Sequence, residues 1–169
     1  MTSADVRWVL VEGMTAEGAT ICRGTADFDT LDEVLAAVEE NRLHAMRSAD
    51  LSMRNVDAVY NAKIHAGEQV IAETFILSVV TAMTTKTFNK VVANLGWKDL
   101  QFPTLVRAGD TIYVESEILG KRESQSRPAQ AVLHVRTRAA NQHGAEVCSF
   151  ERRLLIYKRG LGPYEAAGY

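Results

Sequence analysis

The chain has 169 residues, of which 47% are apolar and 24% are charged, and these proportions are typical of one globular domain that can bury a core. The formal net charge of −2 and the pI near 6.1 give no indication of a nucleic-acid surface or an anionic membrane partner. Two cysteines, Cys22 and Cys148, are too few for a disulfide framework or a metal-ligand cluster, and the N-terminus lacks the apolar run of a secretory signal, so we expect a cytoplasmic protein without a metal site.

The N-terminal part of the chain predicts an arm and one long helix. The short apolar run from Trp8 to Val11 indicates an edge strand or arm within residues 1–25, followed by a Gly- and Thr-rich loop. Over residues 27–47 a capping box of Thr30 and Glu33 opens an amphipathic helix. Its apolar residues recur at helical spacing: Leu31, Val34, Leu35 and Val38.

Two shorter features lead to the most apolar segment of the chain. Residues 48–55 have no periodicity and are interpreted as a loop, and Asp57 is placed to cap a short helix that ends near Gly67. The segment from Val70 to Thr85 then carries one formal charge, Glu73, and no Gly or Pro. It is too short to span a membrane, which takes about 20 apolar residues, so it predicts a buried central helix. Buried there, the carboxylate of Glu73 would be a candidate base.

From residue 91 onward the period changes to two, which predicts an antiparallel meander. Residues 111–119 alternate cleanly, with Ile112, Val114, Ser116 and Ile118 on one face. The other predicted strands are 91–102, 131–138 and 145–158, with a loop over 121–128, a turn over 141–144 and a Gly-rich tail over 160–169. One polar and one apolar face predict a sheet with one side buried. The expected architecture is therefore α+β, a single domain over 1–169 in which the sheet curls around the central helix.

Two motifs among these strands carry a family likeness. The segment F-P-x-x-x-x-x-G-D-T spans Phe102 to Thr111, and the turn N-Q-x-G spans Asn141 to Gly144. The part of the chain from roughly residue 60 to residue 160 resembles a MaoC-like hot-dog domain, with mesaconyl-CoA and itaconyl-CoA hydratases as the closest subgroup. In that family the first motif joins strands of the sheet and the second joins its last two strands.

The resemblance implies a hot-dog fold, at least a dimer, and an acyl-CoA thioester as substrate, with coenzyme A as part of that substrate and no separate cofactor. The family adds water to an enoyl-CoA, or removes it, with (R) specificity. An Asp and a His in a D-x-N-P-x-H pattern hold and activate the water, and a backbone N–H at the start of the central helix polarises the thioester. The substrate-binding positions implied here are Gly67, Ala72 and Thr74, with Arg127 for a CoA phosphate.

The dyad region departs from the family pattern. The family Asp falls on Asp50, and the family His falls on Asn55, which can orient a water by hydrogen bonds but cannot take up a proton near neutral pH. His65, and also His44, lie close enough in sequence to substitute for the missing imidazole. The structural alternatives are a local turn for Asp50, a turn or helix cap for Asn55, and for Glu73 an ion pair with an Arg across the dimer or a solvent-facing carboxylate at the helix start.

Three functions therefore remain open. The first is an acyl-CoA hydratase or dehydratase acting on a short or branched enoyl-CoA, with Asp50 holding the water. The second is a catalytically silent, acyl-CoA-binding hot-dog subunit that assembles with an active one. The third is a thioesterase that uses Glu73.

Overall fold

The computed structural model describes residues 9–14, 20–26, 31–65, 70–85, 87–163 and 167–168, with side chains described from Glu40 onward within these ranges. The helices are α1 (Leu31–Ser48), α2 (Met53–Val56), α3 (Ala58–Ile64) and α4 (Glu73–Thr84). The strands are β1 (Val9–Met14), β2 (Thr20–Ala26), β3 (Val91–Gln101), β4 (Ile112–Glu123), β5 (Gln130–Asn141) and β6 (Glu146–Tyr157).

These strands form an antiparallel sheet in the order β1-β2-β4-β5-β6-β3, and α4 packs against one face of it. The alternation predicted for β4 is confirmed, since Ile112 and Val114 are buried with Ile76 and Val80 of α4. The other members of this apolar core are Ile71, Met83, Val106, Ala139, Val147, Cys148 and Phe150. Between β4 and β5, the buried hydroxyl groups of Ser116 and Thr137 form a hydrogen bond with each other at 2.9 Å.

Several predicted boundaries shift in the structure. The meander is confirmed, but β4 continues to Glu123, so the loop predicted from residue 121 begins later. The strand β2 was not predicted, and α2 overlaps the end of the predicted 48–55 loop. Of the predicted helix signals, Thr30 and Gly67 lie outside the described residues. Within the described ranges no helix is both long and apolar enough to cross a membrane.

The central helix starts three residues later than predicted. Val70 forms a β-bridge with Arg107, and the N–H of Ile71 donates to the carbonyl of Val106 at 2.9 Å, so both residues are extended rather than helical. The helix is also not apolar all round, because Thr74 and Ser78 on its outer face are exposed while Ile76 and Val80 on its inner face are buried. The sheet therefore covers one side of α4 and leaves the other side open.

The two family-like motifs lock the ends of strands to one another. Asp110 accepts hydrogen bonds from the N–H of Arg107 and from Nε2 of Gln142, both at 2.9 Å. In return, Oε1 of Gln142 accepts from the N–H of Thr111 at 3.0 Å. The turn before β6 is closed by Asn141, whose Oδ1 accepts from two backbone N–H groups. These motif residues therefore have structural roles in this chain.

At the other end of α4, Arg152 on β6 is 4% exposed and inserts its guanidinium among three aromatic rings. The guanidinium carbon lies 5.9 Å from the ring centre of Phe88, 5.7 Å from that of Trp97 and 5.6 Å from that of Phe150. One nitrogen donates to the hydroxyl of Thr84, the last residue of α4. Burial lowers the pKa of Arg152 to about 10. A cation at this position complements the negative end of the helix dipole.

The strand β3 forms one edge of the sheet, with β6 on its other side. Most of its residues are exposed, and the register slips at three points along its pairing with β6. Its large exposed apolar residues are Val92, Leu95, Trp97 and Leu100. An unpaired edge with this composition is a surface suited to pairing with another strand.

Candidate functional site

The end of α1 fixes Asp50 in a turn against the helix. Ala49 terminates the helix with a positive φ of 58°, and the N–H of Asp50 folds back to donate to the carbonyl of Ala45 at 2.9 Å. The hydroxyl of Ser48 donates to the carbonyl of His44 at 2.8 Å. Because the last turn is closed in this way, the side chain of Asp50 has a defined position just beyond α1.

Asp50 and Asn55 are in direct contact. Nδ2 of Asn55 donates to Oδ2 of Asp50 at 2.8 Å, and the hydroxyl of Ser52 donates to Oδ1 at 3.1 Å. Asn55 is 2% exposed, and its Oδ1 has no partner among the described residues. Each carboxylate oxygen of Asp50 thus holds one hydrogen bond and has a further lone pair with which to bind a water. Asn55 orients this carboxylate but offers no nitrogen that takes up a proton.

Two short helices hold this pair in place. Asp57 caps α3 as predicted, since its carboxylate accepts from the N–H groups of Val59 and Tyr60. Nδ2 of the buried Asn61 donates to the carbonyl of Arg54 at 2.8 Å and to that of Asp57 at 3.0 Å. Asn61 therefore ties the last turn of α2, which carries Asn55, to α3.

Glu73 is the first residue of α4 and forms an ion pair with Arg54. The two side chains are 32% and 34% exposed, so the expectation that Glu73 is buried within the helix is wrong. The reason is the later start of α4, which puts Glu73 at the positive end of the helix dipole, where a carboxylate is favourable. Its partner is an Arg of the same chain rather than one across a dimer.

The first turn of α4 presents backbone donors. The N–H of Ala72 is buried and already donates to Oδ1 of Asn41 at 2.8 Å, so it is not available to a ligand. The N–H groups of Phe75 and Ile76 bond to the carbonyl of Ala72, and no side chain in the described part of the chain caps the helix. The amides of Glu73 and Thr74 are therefore the ones without an intrahelical partner.

His44 lies beside this turn. Its Nε2 is 3.1 Å from the hydroxyl oxygen of Thr74, and its ring centre is 5.3 Å from that of Phe75. An open groove of about 390 Å³ is lined by Glu40, His44, Arg47, Ser48 and Phe75. The groove thus runs along the last turns of α1 and reaches the start of α4.

The other predicted positions lie apart from this cluster. His65 caps the C-terminus of α3 and makes an edge contact with Tyr60 at 6.2 Å, with no contact to Asp50 or α4 in the described part of the molecule. Arg127 is exposed in the turn between β4 and β5, where its carbonyl accepts from the N–H of Gln130. This turn follows the end of β4 that is remote from the start of α4.

Sequence reasoning did not assign roles to Asn41 and Arg54, and it ranked His44 as a surface residue. A signal for two of them was present, because Asn41 and His44 are three residues apart and so share one face of the predicted first helix. No sequence signal identified Arg54, whose partner Glu73 is nineteen residues away.

Comparison with known proteins identifies the fold and the class. The profile of the MaoC like domain family matches residues 20–140, more than half of the chain. A 68-residue segment is 41% identical to the mesaconyl-CoA hydratase of Cereibacter sphaeroides, covering 40% of this chain and 20% of that protein. The match thus spans about a fifth of the length of this relative.

Solved structures give the same fold over most of the chain. The R-hydratase PhaJ1 from Pseudomonas aeruginosa has a TM-score of 0.64 at 20% identity, with 89% of this chain and 90% of that chain covered. The (R)-hydratase from A. caviae has a TM-score of 0.63 at 20% identity, with 83% and 96% covered. One chain of the (3R)-hydroxyacyl-ACP dehydratase complex from Mycobacterium tuberculosis has a TM-score of 0.58 at 16% identity, with 91% and 99% covered.

The sheet with its packed helix is therefore a hot-dog fold, as predicted. This chain belongs to the MaoC-like domain family.

Proposed function

We propose that the protein is an acyl-CoA hydratase or dehydratase that adds water to, or removes it from, a short or branched enoyl-CoA thioester. The observation that supports this proposal is the contact between Asp50 and Asn55 at the family's dyad positions. This pair is tied to α4 from both sides, by Arg54 to Glu73 and by His44 to Thr74. The elements on either side of this pair therefore contact the first turn of α4, where the amides of Glu73 and Thr74 have no intrahelical partner.

Each residue of the site would have a separate role in the hydration reaction. Asp50 would hold the water and accept a proton as the water oxygen bonds to Cβ of the enoyl group. Negative charge then develops on the thioester oxygen, where the amides of Glu73 and Thr74 would donate to it at the positive end of the α4 dipole. Asn55 and Ser52 keep the carboxylate oriented through their hydrogen bonds.

The test is a direct assay of the purified protein with crotonyl-CoA and with mesaconyl-CoA, followed by the loss of enoyl absorbance. We expect turnover with at least one of them and a fall of about 10²- to 10⁴-fold in kcat for Asp50→Asn, the range found when an acid–base group is removed. The control is Glu123→Gln, which removes an exposed carboxylate at the end of β4, outside the β3 edge. Absence of turnover with a panel of short and branched enoyl-CoA thioesters would rule the proposal out.

A second candidate is a silent subunit that binds acyl-CoA and shapes the site of an active partner. The observation that favours it is Asn55, which stands where the family has the dyad His. One structural neighbour is a dehydratase complex. Co-purification of a second hot-dog chain with an intact D-x-N-P-x-H pattern would support this candidate, whereas a homo-oligomer that is active alone would eliminate it.

The thioesterase alternative depends on Glu73, whose carboxylate is held by Arg54. Following thiol release from the same substrates distinguishes hydrolysis from hydration. A loss of thiol release in Glu73→Gln would identify Glu73 as the residue that drives hydrolysis. Unchanged release in that variant would eliminate this use of Glu73.

We also propose that two copies pair through their β3 edges, because Leu95, Trp97 and Leu100 are exposed along this edge strand. Light scattering after gel filtration is expected to show a dimer or a multiple of one. A Leu95→Lys variant, with a charge on the edge, is expected to shift the mass toward the monomer. A wild-type monomer at micromolar concentration would contradict this assembly.

A further inference from the structure

We propose that His44 supplies the imidazole that the dyad lacks, delivering a proton to the substrate through the hydroxyl of Thr74. This inference rests on the proposed hydration of an enoyl-CoA. It concerns a residue on α1, six positions before Asp50, where neither the family pattern nor the position of Asn55 calls for an imidazole.

The chemical requirement is a second proton-transferring group. Hydration needs a base for the water and an acid for Cα, and Asp50 fills only one of these roles. Asn55 has no nitrogen that titrates near neutral pH. Imidazole is the side chain that ordinarily changes charge between about pH 5 and 8, so a histidine near the thioester would meet the requirement.

The geometry selects His44. Its Nε2 lies 3.1 Å from Oγ1 of Thr74, within hydrogen-bond distance, and the amide of Thr74 is one of the two open donors at the start of α4. Phe75 packs against the imidazole and limits its movement. Thr74 is exposed on the open side of the helix, and its neighbours His44 and Phe75 both line the groove.

Among the residues whose side chains the structure describes, charged groups near the imidazole come from three elements. On α1, Glu40 and Arg47 line the same groove and carry opposite charges. On α4, the charged residue of the first turn is Glu73, and Arg54 from α2 pairs with it. The formal charges of these four residues sum to zero.

The proton steps balance. Asp50 takes a proton from the water as its oxygen bonds to Cβ, and the electron pair of the double bond moves toward the thioester oxygen. The hydroxyl of Thr74 gives its proton to Cα and takes one from the imidazolium of His44. The product then carries OH on Cβ and H on Cα. Asp50 has gained one proton and His44 has lost one, and exchange with solvent restores both.

The experiment measures kcat, KM and the pH profile of enoyl-CoA hydration for His44→Gln, whose amide can keep the hydrogen bond to Thr74 but cannot carry a proton. We expect kcat to fall about 10²- to 10⁴-fold with KM within about twofold, and one limb of the pH profile to disappear. Thr74→Val should show a comparable loss, and Thr74→Ser should retain more activity than Thr74→Val. The control is His134→Gln, on the outer face of β5, where we expect wild-type rates.

A rescue measurement separates proton transfer from a structural role. His44→Ala leaves a space beside Phe75, and added imidazole should restore part of the rate in that variant. If His44→Gln retains the wild-type rate and pH profile while wild type hydrates enoyl-CoA, the inference is wrong and the proposed function stands. Loss of rate in His44→Gln with a raised KM and no imidazole rescue in His44→Ala would also overturn it. A wild-type protein without hydratase activity would overturn both.

Discussion

The side-chain amide of Asn55 donates to the carboxylate of Asp50 across 2.8 Å, and this contact is buried on the Asn55 side. Replacing the donor amide of Asn55 by a carboxylate turns this attractive contact into a repulsive one. In Asn55→Asp two carboxylates would lie at hydrogen-bond distance, and we expect the free energy of unfolding at pH 7 to fall by about 1–3 kcal/mol. The deficit should shrink as the pH falls, because one shared proton converts repulsion into a hydrogen bond.

Thermal unfolding of Asn55→Asp between pH 5 and 8, compared with wild type, measures this effect. The matched control is Gln125→Glu, which makes the same amide-to-carboxylate change at an exposed position of the β4–β5 turn. Equal unfolding temperatures for Asn55→Asp and wild type at every pH would show that the two side chains are not in contact.

The lock between Asp110 and Gln142 joins the loop before β4 to the turn before β6. Gln142→Ala removes two hydrogen bonds at once, and we expect a loss of about 1–2 kcal/mol in the free energy of unfolding. Activity per folded molecule should be unchanged, because the lock contacts none of the site residues. Chemical denaturation measures the effect, with Gln125→Ala in the exposed β4–β5 turn as the control. A stable but inactive Gln142→Ala would instead place the lock in the site.

On the outer face of the sheet, Arg136 and then His134 lower the pKa of Glu151 below its ordinary value of 4.5. A carboxyl with a lowered folded-state pKa stabilises the protein above the unfolded-state pKa, and this contribution is lost as the pH falls through the folded-state value. Glu151→Gln should therefore flatten the acid limb of the stability curve. Denaturation midpoints from pH 3 to 7 test this, with Glu117→Gln as the control. Parallel curves for Glu151→Gln and wild type would contradict it.

The buried thiol of Cys148 lies in the core beneath α4, and burial raises its pKa to about 12. Because the thiolate is the reactive form, we expect no reaction of Cys148 with a disulfide reagent at pH 8 in the folded protein. Adding a denaturant should release one reactive thiol. The measurement uses a Cys22→Ser background so that the signal reports Cys148 alone. Rapid labelling of the native variant would show that this core opens.

Arg152 lies among three aromatic rings, and its described contacts include no carboxylate. Replacing a buried charge by an apolar side chain of similar length is often neutral or stabilising, so Arg152→Met should keep the free energy of unfolding within about 1 kcal/mol of wild type or raise it. Arg152→Ala leaves a cavity and should lose about 2–4 kcal/mol. Chemical denaturation followed by circular dichroism compares the two. Equal losses would show that the charge itself stabilises the fold.

Much of the fold could be predicted from the sequence, because the patterns that specify its strands, caps and turns involve residues that are close together in the chain. The alternation along β4 and β5, the capping aspartate Asp57 and the Asn141 turn each depend on neighbours within a few residues, and the structure confirms them. The start of α4 was misplaced because the pairing of Val70 with Arg107 overrides the helical preference of the segment. That pairing connects positions 37 residues apart, so no local pattern encodes it.

The site was less predictable for the same reason. Asp50 and Asn55 are five residues apart and were found through spacing, and the structure brings them into contact. The links from His44 to Thr74 and from Arg54 to Glu73 span 30 and 19 residues and depend on how α1 and α2 pack against the start of α4. Charge and periodicity indicate which face of a helix is polar, but they do not indicate which residues of another element contact that face.

The double attachment of α1 to α4, through Asn41 to Ala72 and through His44 to Thr74, has a consequence for insertions and deletions. Each residue added to a helix rotates the later residues of that helix by about 100° relative to the earlier ones. One residue inserted between Asn41 and His44 would carry the imidazole away from Thr74 while Asn41 stayed in place. The same insertion before residue 41 leaves both attachments in phase, so we expect an insertion upstream of Asn41 to preserve both contacts and one between the two attachments to break the contact with Thr74.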